Sequence, residues 1–228
     1  MSGINRLARL VPLAGVGFGV LTLAGYSAIG PFPDTDASIS KLTSFYATSH
    51  DGVATGGLLL GFAAICLALF GVAVWARIQA TDLHPIVGGA ALVSTAMAAA
   101  AGIASAGAYS ILGEIGTEDN LSPAALQAWH IAGSAGIVDG GTTLLLLTAA
   151  TAGIAGRAFP GWLAWPALVL AVFTLIPVSP YGYFASLVIL LWAAVTGVVM
   201  VMRPADGAAG TKEAAAPAVR GGPALTSR

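Results

Sequence analysis

One carboxylate, Asp139, interrupts the apolar stretch GIVDGGTTLLLL from Gly136 to Leu147. An acid in such surroundings can exchange a proton, hold a cation or contact a partner, so its type and setting invite chemistry. Ala128 to Ala150 reads as a helix crossing lipid, with Asp139 at its midpoint. A charged carboxylate at that depth costs roughly 2.5–3.5 kcal/mol on insertion scales. No Lys or Arg falls inside any expected span, so no buried salt bridge is at hand. Three settings remain for Asp139: protonated and hydrogen-bonded in a packed bundle, facing a water-filled cavity, or touching a partner protein. Its expected neighbours are Ser94 and Thr95 at similar depth, with Thr142 and Thr143 one turn further along.

His130 lies nine residues before Asp139. Helical geometry turns the chain by about 900° over that interval and separates the two by about 13 Å. They point to opposite sides and form no catalytic pair within one helix. Beside Trp129, His130 reads as a residue at the membrane boundary. His50 and His84 fall in loops on opposite sides, and three separated histidines make no metal site. Cys66 is the one cysteine, set in an apolar run, and reads as a packing residue. Neither H-E-x-x-H, G-x-S-x-G nor a phosphate-binding loop occurs, and GVGFGV lies inside a span rather than after a strand. No catalytic, cofactor-binding or metal residue is assigned, no cofactor is expected, and the expectation is a protein that is not an enzyme.

Composition explains where these residues must sit. Of 228 residues, 57% are hydrophobic and only 8% charged, against about a quarter charged in soluble domains. Such a chain cannot cover a surface facing water. The formal net charge of −1 comes with no basic stripe for nucleic acid. A transmembrane helix needs about 20 apolar residues. Six runs qualify: about Leu10–Ile29, Gly52–Trp75, Ile86–Leu112, Ala128–Ala150, the shorter Gly161–Val178, and Tyr183–Met202. Runs such as LLLLTAATAGIAG do not alternate in polarity, which excludes a β-barrel and leaves helices. The fold class is therefore all-α, a polytopic bundle of six transmembrane helices over residues 1–203. The connections agree. Prolines in GPFPDTD end the first run, Ser122-Pro123 opens the fourth, and LHPIV, AFPGW and PVSPYG punctuate the rest.

Arg6, Arg9, Arg77, Arg157, Arg203, Lys212, Arg220 and Arg228 fall on one side of this map, and Lys41 alone on the other. The positive-inside bias then places both termini in the cytoplasm. A cleaved signal peptide competes for the first run, but Tyr26 occupies a position where processing wants a small residue. On the outer side, Ile39, Leu42, Phe45 and Tyr46 share one face of DASISKLTSFYATS, Asp36 to Ser49. They predict a short extracytoplasmic amphipathic helix between spans one and two, packed over the bundle mouth or serving as a partner-binding lid. Residues 204–228, rich in Ala, Gly and Pro, form an expected disordered cytoplasmic tail.

Small residues recur at Gly15, Gly17 and Gly19, at Gly57 and Gly61, through AMAAAAGIASAGA, and at Ala132, Gly136 and Gly140. Such stripes let helix backbones approach closely. A tight core of spans one to four follows, with span three most enclosed and bulky span six largely facing lipid. Trp129, Trp162, Trp165 and Tyr181 sit at expected interfaces.

A proline break, an outer helix ending SFYATSHDG and a Gly/Leu-rich span ending WARI resemble small multi-span membrane proteins of unknown function from high-GC Gram-positive bacteria. The resemblance covers the first third best. It implies a bacterial plasma-membrane location and transfers no functional residue. The expected role is a non-enzymatic membrane component or accessory subunit, with the lipid bilayer, membrane-protein partners or further copies of itself as contacts. The alternative is a small proton- or ion-coupled transporter or channel using Asp139.

Overall fold

The computed structural model describes residues 9–115, 122–134, 140–175 and 182–203, and the regular elements among them are all helical. A 3-10 turn at Val11–Leu13 leads into α1 (Ala14–Ile29). There follow α2 (Ile39–Gln79), α3 (Pro85–Ile115), α4 (Pro123–Ser134), α5 (Gly140–Ile154), α6 (Gly161–Leu175) and α7 (Gly182–Met202). Among the described residues three stretches are long and apolar enough to cross a membrane: Val11–Ile29, Ile39–Gln79 and Pro85–Glu114. Gly140–Ile154, Gly161–Leu175 and Ser186–Met202 are shorter apolar helices. The fourth expected span is described in two pieces, α4 and α5. Residues 135–139, with Asp139 among them, lie outside the described residues, as do Tyr181 and the whole of 204–228.

Local chemistry sets the ends. Gly30 stops α1 with φ 79°, a backbone conformation that side chains rarely adopt, and its N–H donates to the Tyr26 carbonyl. Pro31 and Pro33 then keep the chain extended. Ser38 caps α2 and Ser122 caps α4, their hydroxyls accepting from Lys41 N–H at 3.4 Å and Ala125 N–H at 3.2 Å.

The short outer helix is not a separate element. It forms the first turns of α2, which runs unbroken for 41 residues, about 60 Å at 1.5 Å per residue. Nothing between Ser49 and Gly52 stops a helix, because a single interior glycine costs only about 1 kcal/mol. Gly52 serves packing instead: the Ala28 carbonyl of α1 sits where a Cβ would be. Leu42 and Tyr46 are fully buried, so the amphipathic face packs onto the protein.

Helices α2 and α3 run antiparallel with small residues along the seam. A Cβ on Gly113 would stand 2.6 Å from the Ala54 nitrogen, and one on Gly57 2.9 Å from the Ala106 carbonyl. Further along, Gly102 meets Ala64, and Gly71 receives the Thr95 side chain. On the other face of α2, Gly25 and Gly56 let α1 approach to backbone contact. Helix α5 meets α3 through Gly141, whose Cβ would stand 2.8 Å from the Ser94 carbonyl.

Two packing expectations change. The third span is not the most enclosed: 33% of its apolar window is buried against 44% for the second, where α2 lies between α1 and α3, and ten of the 15 residues of α5 are buried. The sixth run is not peripheral. Ile189, Leu190, Trp192, Ala193 and Thr196 of α7 are buried. Gly15 leaves room for the Ala193 carbonyl, and Trp192 Nε1 donates to the Leu163 carbonyl of α6 at 3.0 Å. Bulk on this face of α7 fills the core, while Val188, Leu191, Val198 and Met202 on the other remain exposed. Outward faces elsewhere carry Leu58, Phe62, Ile65 and Leu69 on α2, Val93 and Met97 on α3, and Val169, Val172 and Phe173 on α6. So broad an exposed apolar surface suits lipid rather than water.

The seam makes opposite demands on two glycines. A methyl on Gly71 would overlap Thr95, whereas Gly89 has nothing within 4 Å of a Cβ. We expect Gly71→Ala to lower stability by about 1–3 kcal/mol. Gly89→Ala should be neutral or gain up to about 1 kcal/mol of helix propensity. Thermal unfolding of the two variants in detergent micelles checks both.

Candidate functional site

Two polar places lie within the bundle. The first surrounds the residues expected near Asp139. Ser94 and Thr95 both turn back on their own helix, donating to the Ala91 carbonyl at 2.9 and 2.7 Å. They serve different neighbours: the Ser94 carbonyl lies against Gly141 of α5, and the Thr95 side chain fills the notch at Gly71 of α2. Thr143 donates to Thr174 of α6 at 2.8 Å. Thr142 alone of the expected neighbours borders a cavity, of about 30 Å³. Phe18, Thr22 and Tyr26 of α1, Leu60 and Leu67 of α2, and Ala98 and Ser105 of α3 complete its wall. Such a volume suits one or two water molecules. Thr22 is 1% exposed and its hydroxyl has no hydrogen-bond partner, whereas Ser105 donates to the Gly133 carbonyl. The expected trio of Ser94, Thr95 and Thr142 is thus split, with one member on the cavity and two engaged elsewhere.

The second place is the end of the bundle that carries Lys41. There His130 of α4 is fully buried within the protein. Trp129 beside it is 38% exposed, one helical position putting the two on different faces. His130 Nε2 lies 3.2 Å from the Asp34 carbonyl, which can only accept, so Nε2 carries a proton. The Tyr46 hydroxyl lies 2.9 Å from Nδ1 and donates to it in the neutral ring. Phe32 stacks on the imidazole at 4.8 Å with 15° between planes, and meets Tyr109 and Phe45 edge to face at 5.3 and 5.7 Å. One histidine therefore joins the proline-bound loop, the start of α2 and α4.

Both ring nitrogens of His130 are occupied and the ring is shielded from solvent, so the arrangement holds elements together rather than moving protons to a substrate. His50 is a different case: its Nε2 lies 3.4 Å from Asp51, a pair on the surface of little energetic weight. Among the described residues no three His, Cys, Asp or Glu side chains come together as metal ligands. Cys66 is half-buried against Gly17, in keeping with packing.

Sequence reasoning missed the His130 cluster. Its only signal was Tyr46 on the buried face of the outer helix and an aromatic residue, Phe32, between two prolines. The partners Tyr46 and His130 are 84 positions apart, which no local pattern connects. Comparison with protein families, characterised proteins and solved structures finds no match to this chain.

Removing the Tyr46 hydroxyl leaves a buried ring nitrogen unsatisfied, which costs about 1–3 kcal/mol. We expect Tyr46→Phe and His130→Phe each to destabilise the protein by that order. The double variant should lose less than the sum, as contacting residues do. Chemical unfolding in micelles, arranged as a double-mutant cycle, reads the difference.

Proposed function

We propose that this chain is a non-enzymatic, multi-pass component of the bacterial plasma membrane, built of six spans with both termini in the cytoplasm. It serves as a fixed accessory subunit, its outer end presented to a membrane-protein partner or a second copy of itself. The observation that carries this reading is the His130 cluster. Both ring nitrogens are satisfied, the imidazole is stacked, and three segments meet on it. A network completed in this way favours one rigid arrangement over alternating ones. Alternating access would need the outer end to open, at the expense of those bonds.

A second reading has one observation in its favour. The unpartnered Thr22 hydroxyl and Thr142 border one small cavity, and Asp139 precedes Thr142 by three residues in the chain. A polar spot with room for water, three residues along the chain from a carboxyl, suits a proton- or ion-coupled transporter or channel.

Reconstituted vesicles separate the two. With a pH-sensitive dye inside and an imposed membrane potential, the accessory-subunit reading expects no proton flux above empty vesicles, and no change with Asp139→Asn. Flux that Asp139→Asn abolishes, in a variant that still folds, would replace the first reading with the second.

A further inference from the structure

Opposite the histidine cluster, three arginines far apart in the chain come together. Arg77 ends α2, Arg157 follows α5, and Arg203 follows α7. All three line one cavity of about 460 Å³, a size ordinary for a small-ligand site at about 300–1,000 Å³. The wall also includes Ile154, Phe159 and Trp165, and it reaches Gly161, where the positive end of α6 begins. Trp165 is 58% exposed and Ile154 44%, so apolar side chains stand at the open rim beside the exposed Arg157 and Arg203, with the half-buried Arg77 further in.

Like charges do not gather without a reason. Among the described residues no carboxylate pairs with any of the three arginines. Arg77 is also held in place. Its Nε donates to the Ala158 carbonyl at 3.0 Å, and a terminal nitrogen donates to the Arg203 carbonyl. A guanidinium has five N–H donors and never loses its charge in proteins, so donors remain for a ligand. Arg157 adopts φ 52°, unusual for a residue other than glycine, and this strained turn is part of the cavity wall. Strain and clustered positive charge at one place mark a site suited to an anion.

We propose that this cavity binds a phosphate group, gripped by Arg157 and Arg203 around the anchored Arg77. Arginine suits this through its planar fork of donors. The phosphate comes from one of two sources: the headgroup of an anionic glycerophospholipid, or a soluble phosphate compound. The apolar rim with Trp165 favours the lipid, whose chains would pass over Ile154 and Trp165. Basic pockets between helices at the cytoplasmic surface take anionic headgroups in this way. The lipid source rests on the membrane placement proposed above, whereas the phosphate site does not.

The full chain, purified in dodecyl maltoside, is titrated separately with phosphatidylglycerol, phosphatidylcholine and inorganic phosphate, and thermal unfolding is followed. A ligand bound to the folded state raises the midpoint saturably. We expect phosphatidylglycerol to do so and phosphatidylcholine not. Arg157→Gln and Arg203→Gln should each weaken the apparent affinity about tenfold, the loss of one charge-assisted contact. Arg220→Gln should leave it unchanged. Both site arginines are exposed, and Arg157→Lys, keeping charge without the fork, should retain part of the affinity. An arginine-dependent response to inorganic phosphate but not to lipid keeps the site and assigns a soluble ligand. Equal responses to both lipids with phosphate inert, or an equal loss in Arg220→Gln, would overturn the proposal.

Discussion

Backbone contact between α2 and α3 is the constraint on which the rest of the structure depends. Lipid tails are as apolar as leucine, so helices immersed in them gain little by burying leucine against leucine. They associate by approaching closely enough for dispersion forces between backbones. Gly57, Gly71, Gly102 and Gly113 make that approach along the α2–α3 seam, with Ala54, Ala64 and Ala106 opposite. Once α2 and α3 are joined, α1 closes on one side through Gly25 and Gly56, and α5 on another through Gly141. The large side chains that remain outside then make an apolar surface that suits a membrane.

The ends of this bundle differ chemically. One is closed by aromatic rings around a neutral, fully bonded histidine, and among the described residues its exposed charges are Lys41 and the carboxylates Asp34, Asp36, Asp51 and Glu114. The other gathers Arg77, Arg157 and Arg203 around an open cavity. Positive charge collected at one end is what the positive-inside bias produces in a multi-span protein. Topology and anion recognition are separate demands on the same arginines. A topological anchor needs only to be somewhere on the cytoplasmic side, whereas these three converge and one is fastened by two carbonyls.

Much of the fold was legible in the sequence. Proline and glycine punctuation located most helix ends to within a few residues, as at Gly30, Pro85 and Gly161, because breakers act locally. Gly57 and Gly61 marked a close seam for the same reason. What was not legible depended on three-dimensional pairing. The continuity of α2 through Gly52 was hidden, since the polar run Thr48-Ser49-His50-Asp51 separates the amphipathic face from the apolar run that follows. The burial of one face of α7 was hidden too, because bulky residues suit lipid and core equally well. The burial of His130 was hidden as well, since its partners Asp34 and Tyr46 are distant in the chain. The split of Ser94 and Thr95 between two helices likewise followed from facing directions that sequence spacing does not give. Arginine counting placed Arg77, Arg157 and Arg203 on one side, but not around one cavity.

The central claim is that a bilayer separates the aromatic end from the arginine end. Cys66 is the chain's one cysteine, so a Cys66→Ala background allows single-site labelling. Lys41→Cys and Ala155→Cys, both at exposed positions, sample the two ends. In intact cells treated with a membrane-impermeant maleimide, the account predicts labelling of the Lys41→Cys protein at once. The Ala155→Cys protein should react only after the membrane is opened. Equal labelling of both before permeabilisation, or both only after it, would contradict the account.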